Sequence, residues 1–134
     1  MDIGNPTNIH PANKLDVGKR LALWALAKDY RQTEMVYTGP LYQGIKIVGE
    51  KIRITFQPSG SDLILQGQGD NGFEIAGVDG QFVPANTVVD GKDIIVMNAK
   101  IKAPTQVRYA FKNASAATLF NAAGLPASSF SSEE

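Results

Sequence analysis

Ile45-Lys46-Ile47-Val48-Gly49-Glu50-Lys51-Ile52-Arg53-Ile54-Thr55-Phe56 is the stretch that decides the fold. Apolar and polar residues alternate on either side of Gly49-Glu50, which is the period of a half-buried strand interrupted by a hairpin turn. The same pattern recurs downstream. Leu63 to Leu65 is a short apolar run. Phe73 to Val78 and Gln81 to Val83 flank Asp79-Gly80, and Val88-Val89 and Ile94 to Val96 flank Asp90-Gly91. Both dipeptides tolerate the left-handed backbone of a tight turn. Val107 to Phe111 reads as a last strand, with Val107, Tyr109 and Phe111 on one face and Arg108 on the other. Six or seven short strands at this spacing predict an antiparallel β-sandwich.

Upstream the period is helical. Val17, Leu21, Trp24 and Ala25 recur on one side of a helix spanning Pro11 to Asp29, with Leu23, Leu26 and Tyr30 beside them. Pro11 suits a first helical position, which places His10 at or near the cap. Leu21 to Ala27 is apolar throughout. An arc that wide expects cover on more than one side, from the sandwich or from a partner outside this chain. The chain is thus mainly β, an antiparallel β-sandwich preceded by one N-terminal α-helix. The boundary falls in Arg31 to Thr38, dividing residues 1–32 from 33–134. From Lys112 onward Ala, Asn, Gly, Pro and Ser dominate, which predicts irregular chain pinned by Leu119, Phe120, Leu125 and Phe130. Ser131 to Glu134 reads as a frayed tail.

Composition excludes several classes. The 134 residues suffice for one domain with a real core. Thirteen basic and 13 acidic residues cancel to a net charge of +0, so no nucleic-acid footprint is expected. No apolar run approaches the roughly 20 residues of a membrane span, and no amino-terminal signal pattern appears. With no cysteine, disulfides, thiolate metal sites and cysteine nucleophiles are excluded. Asp90 with Asp93, or Asp62 with Asp70, are too scattered for a metal loop. Gly67, Gly69 and Gly72 open no helix, so no phosphate loop is implied. Ser128, Ser129, Ser131 and Ser132 lack a Gly-x-Ser-x-Gly elbow. Asn113-Ala114-Ser115 fits a glycosylation sequon, a triplet that arises often by chance. No cofactor and no metal is expected.

The candidate chemistry is at the start. His10 is the only histidine, in the phrase Asp2-Ile3-Gly4-Asn5-Pro6-Thr7-Asn8-Ile9-His10-Pro11. Histidine's unperturbed pKa, about 6.5, suits it to take and return a proton near neutrality. The alternative is a histidine that only caps the helix. Asn5 and Asn8 can hold the loop by turn hydrogen bonds.

Ile9-His10-Pro11-Ala12-Asn13-Lys14, followed by Val17-Gly18-Lys19-Arg20-Leu21-Ala22-Leu23, resembles the closing catalytic block of the sialate O-acetylesterases. Thr38-Gly39-Pro40-Leu41-Tyr42 is similar to the stretch after their catalytic domain. Gly72 to Phe82 is similar to their middle β-region, and Pro104 to Phe111 and Leu119-Phe120-Asn121 with Gly124-Leu125-Pro126-Ala127-Ser128 to their carboxyl terminus. These blocks run in order over nearly the whole chain. The resemblance implies a serine esterase of the SGNH-hydrolase type that removes acetyl groups from sugars such as O-acetylated sialic acid. It implies that the nucleophile and oxyanion donors lie upstream, in an N-terminal catalytic domain, and that the parent is periplasmic or secreted. Residues 1–32 would close that domain and 33–134 form an accessory sandwich.

By the same resemblance His10 is the general base. Many such esterases carry an aspartate three residues before the histidine; here that position is Thr7. Asp2 sits where the sialate O-acetylesterase phrase carries an aspartate, and is the candidate acid; otherwise it is an exposed terminal carboxylate. The rival expectation is a non-catalytic sandwich for carbohydrate binding or inter-domain support. Tyr37, Tyr42, Phe82 and Tyr109 are its candidate sugar platforms, unless they are core.

Overall fold

A computed structural model describes residues 2–58, 61–67 and 71–133. Gly69, Asp70 and Glu134, which figure in the sequence reading, lie outside the described residues. One helix, α1 (Lys14–Lys28), precedes β1 (Tyr42–Val48), β2 (Lys51–Phe56), β3 (Leu63–Leu65), β4 (Phe73–Ala76), β5 (Val83–Pro84), β6 (Asn86–Asp90), β7 (Asp93–Met97), β8 (Gln106–Tyr109), β9 (Leu119–Asn121) and β10 (Phe130–Ser131).

The hairpins expected at Gly49-Glu50 and Asp90-Gly91 form. Val48 pairs with Lys51 and Asp90 with Asp93, and Gly49 and Gly91 take left-handed φ values of 59° and 65°. They build a four-stranded antiparallel sheet in the order β1-β2-β7-β6. A second antiparallel sheet runs β10-β8-β4-β5, and β3 pairs with β9 in a two-stranded ribbon. The inward residues of the two larger sheets share one core. Ile52, Ile54, Ile94 and Val96 from the first, and Phe73, Ile75, Val107 and Tyr109 from the second, are 0% exposed. Burying each such side chain contributes about 1.5–3 kcal/mol.

Two expectations about the carboxyl end are corrected. Val107 to Phe111 is neither the last strand nor straight. Ala110 has φ 55°, a left-handed bend that ends β8 and turns Phe111 outward to 52% exposure. The tail is also pinned. Ser131 pairs with Arg108, and the Val107 and Ser132 backbones are joined through two bonds of 2.9 Å, one to the Ser132 hydroxyl. Phe130 is the reason, because its ring stacks parallel to Tyr42 at 4.6 Å and also meets Phe56, Phe73 and Tyr109.

The helix start is corrected as well. Asn13, not His10, caps α1: its side chain accepts the Asp16 amide at 3.1 Å and donates to the Asp16 carboxylate at 2.7 Å. Asparagine with an acid three residues on satisfies the orphan amides better than histidine can. Trp24 packs edge-on against Tyr37 at 4.8 Å, and Lys28 lies over the same ring. Leu15 and Leu21 stay 68% and 66% exposed, and Trp24 45%. The helix therefore rests on the linker and keeps part of its apolar arc bare.

Buried polar groups join the pieces. The Tyr109 hydroxyl accepts the Thr118 and Leu119 amides at 2.9 Å each and meets the Thr118 hydroxyl at 3.2 Å. Asn121, 0% exposed, donates to the Thr38 carbonyl and accepts the Leu125 amide, both at 2.9 Å. Gly39 follows directly, so close to Pro126 that a Cβ there would stand 2.0 Å from its carbonyl oxygen.

Tyr109→Phe should lower stability by about 1–3 kcal/mol for each amide left buried without an acceptor; urea unfolding will measure it, and an unchanged midpoint would contradict this role. Gly39→Ala should cost about 1–3 kcal/mol or more through overpacking against backbone that cannot yield, seen as a fall in melting temperature.

Candidate functional site

The segment ahead of α1 is built from small turns. Asn5 Oδ1 accepts both the amide and the hydroxyl of Thr7 at 2.9 Å, and Asn8 Oδ1 accepts the His10 amide at 2.9 Å. The asparagines thus do the holding that the sequence suggests. His10 is exposed at the end of this loop, three residues before the cap. Thr7, at the place of the usual aspartate, is turned into the Asn5 turn.

Asp2 is engaged elsewhere. Arg20, from the second turn of α1, donates to Asp2 Oδ1 at 2.8 Å and also to Oδ2, a bidentate pair that fastens the start of the loop to the helix. The guanidinium hydrogen bonds hold the Asp2 carboxyl below its ordinary pKa, against a smaller opposing effect of burial. The Arg20 pKa is raised for the same reason. The structure thus brings Asp2 to Arg20, and among the described residues it forms no hydrogen bond between Asp2 and the His10 ring. Sequence reasoning missed Arg20; its partner is 18 residues away, and no local pattern marks such a pair.

The candidate sugar platforms separate. Tyr109 is in the core, Tyr42 stacks on Phe130, and Tyr37 seats Trp24. Phe82 lies on the outer face of the second sheet, 4.0 Å below the Arg108 guanidinium. Arg108 also donates to Glu74 at 2.8 Å and approaches Phe111 at 5.6 Å. Of the acids weighed as metal ligands, Asp90 and Asp93 both bind Arg53, at 2.6 and 2.8 Å.

No protein-family model matches the chain, and no curated protein matches it. A crystal structure described as a novel carbohydrate acetylesterase from Xanthomonas citri does, with 43% identity and a TM-score of 0.90 over 97% of this chain. The chain is similar to part of a carbohydrate acetylesterase. It spans 30% of that protein's length. At 43% identity the agreement extends beyond fold to sequence, and it covers both the sandwich and the histidine loop with its helix.

A surface ion pair contributes about 0–1 kcal/mol, so the loop tether should be sensitive to pH. Pairing lowers the folded-state pKa of Asp2. Its stabilisation is therefore full above the ordinary aspartate value, about 3.9, and is lost as pH falls through the lower folded-state value. Amide exchange of residues 2–9 should accelerate relative to β2 and β7 in that window. Arg20→Gln should produce the same loosening at neutral pH; unchanged protection in that variant would show that the pair does not hold the loop.

Proposed function

We propose that this chain is the carboxyl-terminal part of a carbohydrate O-acetylesterase, with His10 as its general base. The observation that carries the reading is the 43% identity to a carbohydrate acetylesterase over 97% of the chain. The loop geometry supports it: turns at Asn5 and Asn8 present an exposed imidazole at a fixed place.

In this mechanism an upstream serine hydroxyl attacks the acetyl carbonyl while His10 takes its proton. The ester bond to the sugar breaks, and His10 returns the proton to the departing sugar alkoxide. Water then attacks the acetyl-serine, again losing a proton to His10, and acetate leaves as the serine recovers it. Asp2 is the proposed orienting acid. A carboxylate has about four acceptor positions, so the bidentate Arg20 pair leaves capacity for a histidine N–H, and Arg20 becomes the group that positions Asp2. Sialic acids are the proposed sugars and the periplasm or exterior the proposed location, both on the resemblance of the histidine block.

The bare face of α1 supports the partner. Val17, Leu21 and Trp24, which share one side of the helix, form apolar surface that an N-terminal catalytic domain would cover. Tyr42 and Tyr109 are spent on packing, which favours support of that domain over sugar binding as the main task of residues 33–134.

In the complete esterase, His10→Ala should lower kcat/KM on an acetylated sugar by about 10²- to 10⁴-fold with little change in melting temperature. The 134-residue chain alone should give no aryl-acetate turnover. Full activity of the variant, or turnover by the chain alone that His10→Ala abolishes, would overturn the reading.

A further inference from the structure

The histidine loop does not stand free of the sandwich. A cavity of about 460 Å³ lies between them, lined on one side by Asn5 and Pro6 and on the other by Ala110, Asn113, Ala114 and Ser115. Ser129, just ahead of β10, also lines it. Three stretches far apart in sequence thus converge on one space, within the size range of small-molecule sites, about 300–1,000 Å³.

We infer that this groove is a sugar subsite: it takes a pyranose ring of the substrate and holds it beside the ester that His10 works on. The inference rests on the proposed esterase reading and names what lies next to the reacting group. Its first support is chemical. The lining mixes the polar side chains of Asn5, Lys112, Asn113, Ser115 and Ser129 with the carbon surfaces of Pro6, Ala110 and Ala114. A pyranose presents the complementary pattern, with hydroxyls at the rim and C–H patches on both faces. Asparagine and serine side chains, which both donate and accept, suit hydroxyls, Lys112 adds a charged donor, and the alanines leave room for a ring.

The second support is that both walls are built. Asn5 is fixed by its own turn with Thr7. Opposite, the Ser115 hydroxyl accepts the Lys112 amide at 3.1 Å and donates to the Lys112 carbonyl at 3.2 Å. The bend that throws this wall outward is at Ala110, a 6% exposed alanine with φ 55° whose amide is tied to the Gly72 carbonyl at 2.8 Å. L-residues with side chains rarely adopt that backbone, and such positions cluster at ligand sites.

The third support is distance. His10 is four positions after Pro6, so their Cα atoms are at most about 14 Å apart, at 3.3–3.6 Å per residue. The turns at Asn5 and Asn8 shorten that span. A ring in the groove and an acetyl ester at the imidazole are therefore neighbours on one sugar or on two linked ones.

The test is a titration of the ¹⁵N-labelled 134-residue chain with methyl glycosides of glucose, xylose and galactose and with N-acetylneuraminic acid, beside sodium acetate alone. At least one sugar should shift the amides of Asn5, Ala110, Asn113 and Ser115, and acetate should not. Ala114→Phe, at an exposed position on the rim, should weaken that binding about tenfold or more, the loss of one good contact set, with the melting temperature kept. Val78→Ala, remote from the groove and 91% exposed, should bind as the parent does. Binding is read here without turnover, so the result is independent of whether His10 acts as a base. If no sugar shifts these amides, or if the shifts fall instead around Phe82 and Phe111, or survive Ala114→Phe, the subsite assignment is wrong while the esterase reading stands. If sugar binds in the groove but His10→Ala leaves the complete esterase active, the subsite stands and the assignment of the base falls.

Discussion

The rest of the structure depends on where the Tyr109 hydroxyl ends. Its ring is buried between the two larger sheets, and its oxygen emerges where β9 begins, taking the amides of Thr118 and Leu119. Those amides would otherwise be buried without acceptors, at a cost of about 1–3 kcal/mol each. One side chain thus decides that the chain after β8 returns to the sandwich. Thr118 extends the junction by donating to the Asn71 carbonyl at 2.6 Å, and Asn71 Oδ1 accepts the Thr87 hydroxyl at 3.2 Å. Both sheets and the ribbon meet in this network.

A second clamp connects that core to the amino-terminal segment. Asn121 holds the Thr38 carbonyl, and Gly39 fits under Pro126, so the linker after the helix is fixed to the carboxyl-terminal stretch. Tyr37, just before the clamp, seats Trp24. Through this chain of contacts the sandwich positions α1, and Arg20 on α1 positions the start of the histidine loop. In this way the sandwich governs where the loop that carries His10 sits.

The legible parts of the chain were the local ones. The hairpins at Gly49-Glu50 and Asp90-Gly91 form as read, because alternation and a left-handed glycine act over a few residues. The helix was legible in extent but not at its start, where Asn13 outcompetes His10 for the cap. Phe111 was misplaced because nothing in an alternating pattern reveals a left-handed alanine at the preceding position. β10 was missed because a two-residue strand has no period; aromatic packing of Phe130 creates it. At the site, the asparagine turns were readable, being contacts across two residues, whereas the Arg20 pair was not.

By itself the sequence determined an antiparallel sandwich with one leading helix, the turns of the histidine loop, and a likeness to sugar acetylesterases. Each rests on periods, turn residues or short motifs, which are properties of neighbours in the chain. Only the tertiary structure decided that Asp2 meets Arg20, that the tail is a strand, that Tyr109 is core and Tyr42 packs against it, and that a groove lies between the loop and the residues after β8. Those outcomes depend on which distant groups satisfy one another once the core has closed, and burial makes that choice by penalising every polar group left without a partner.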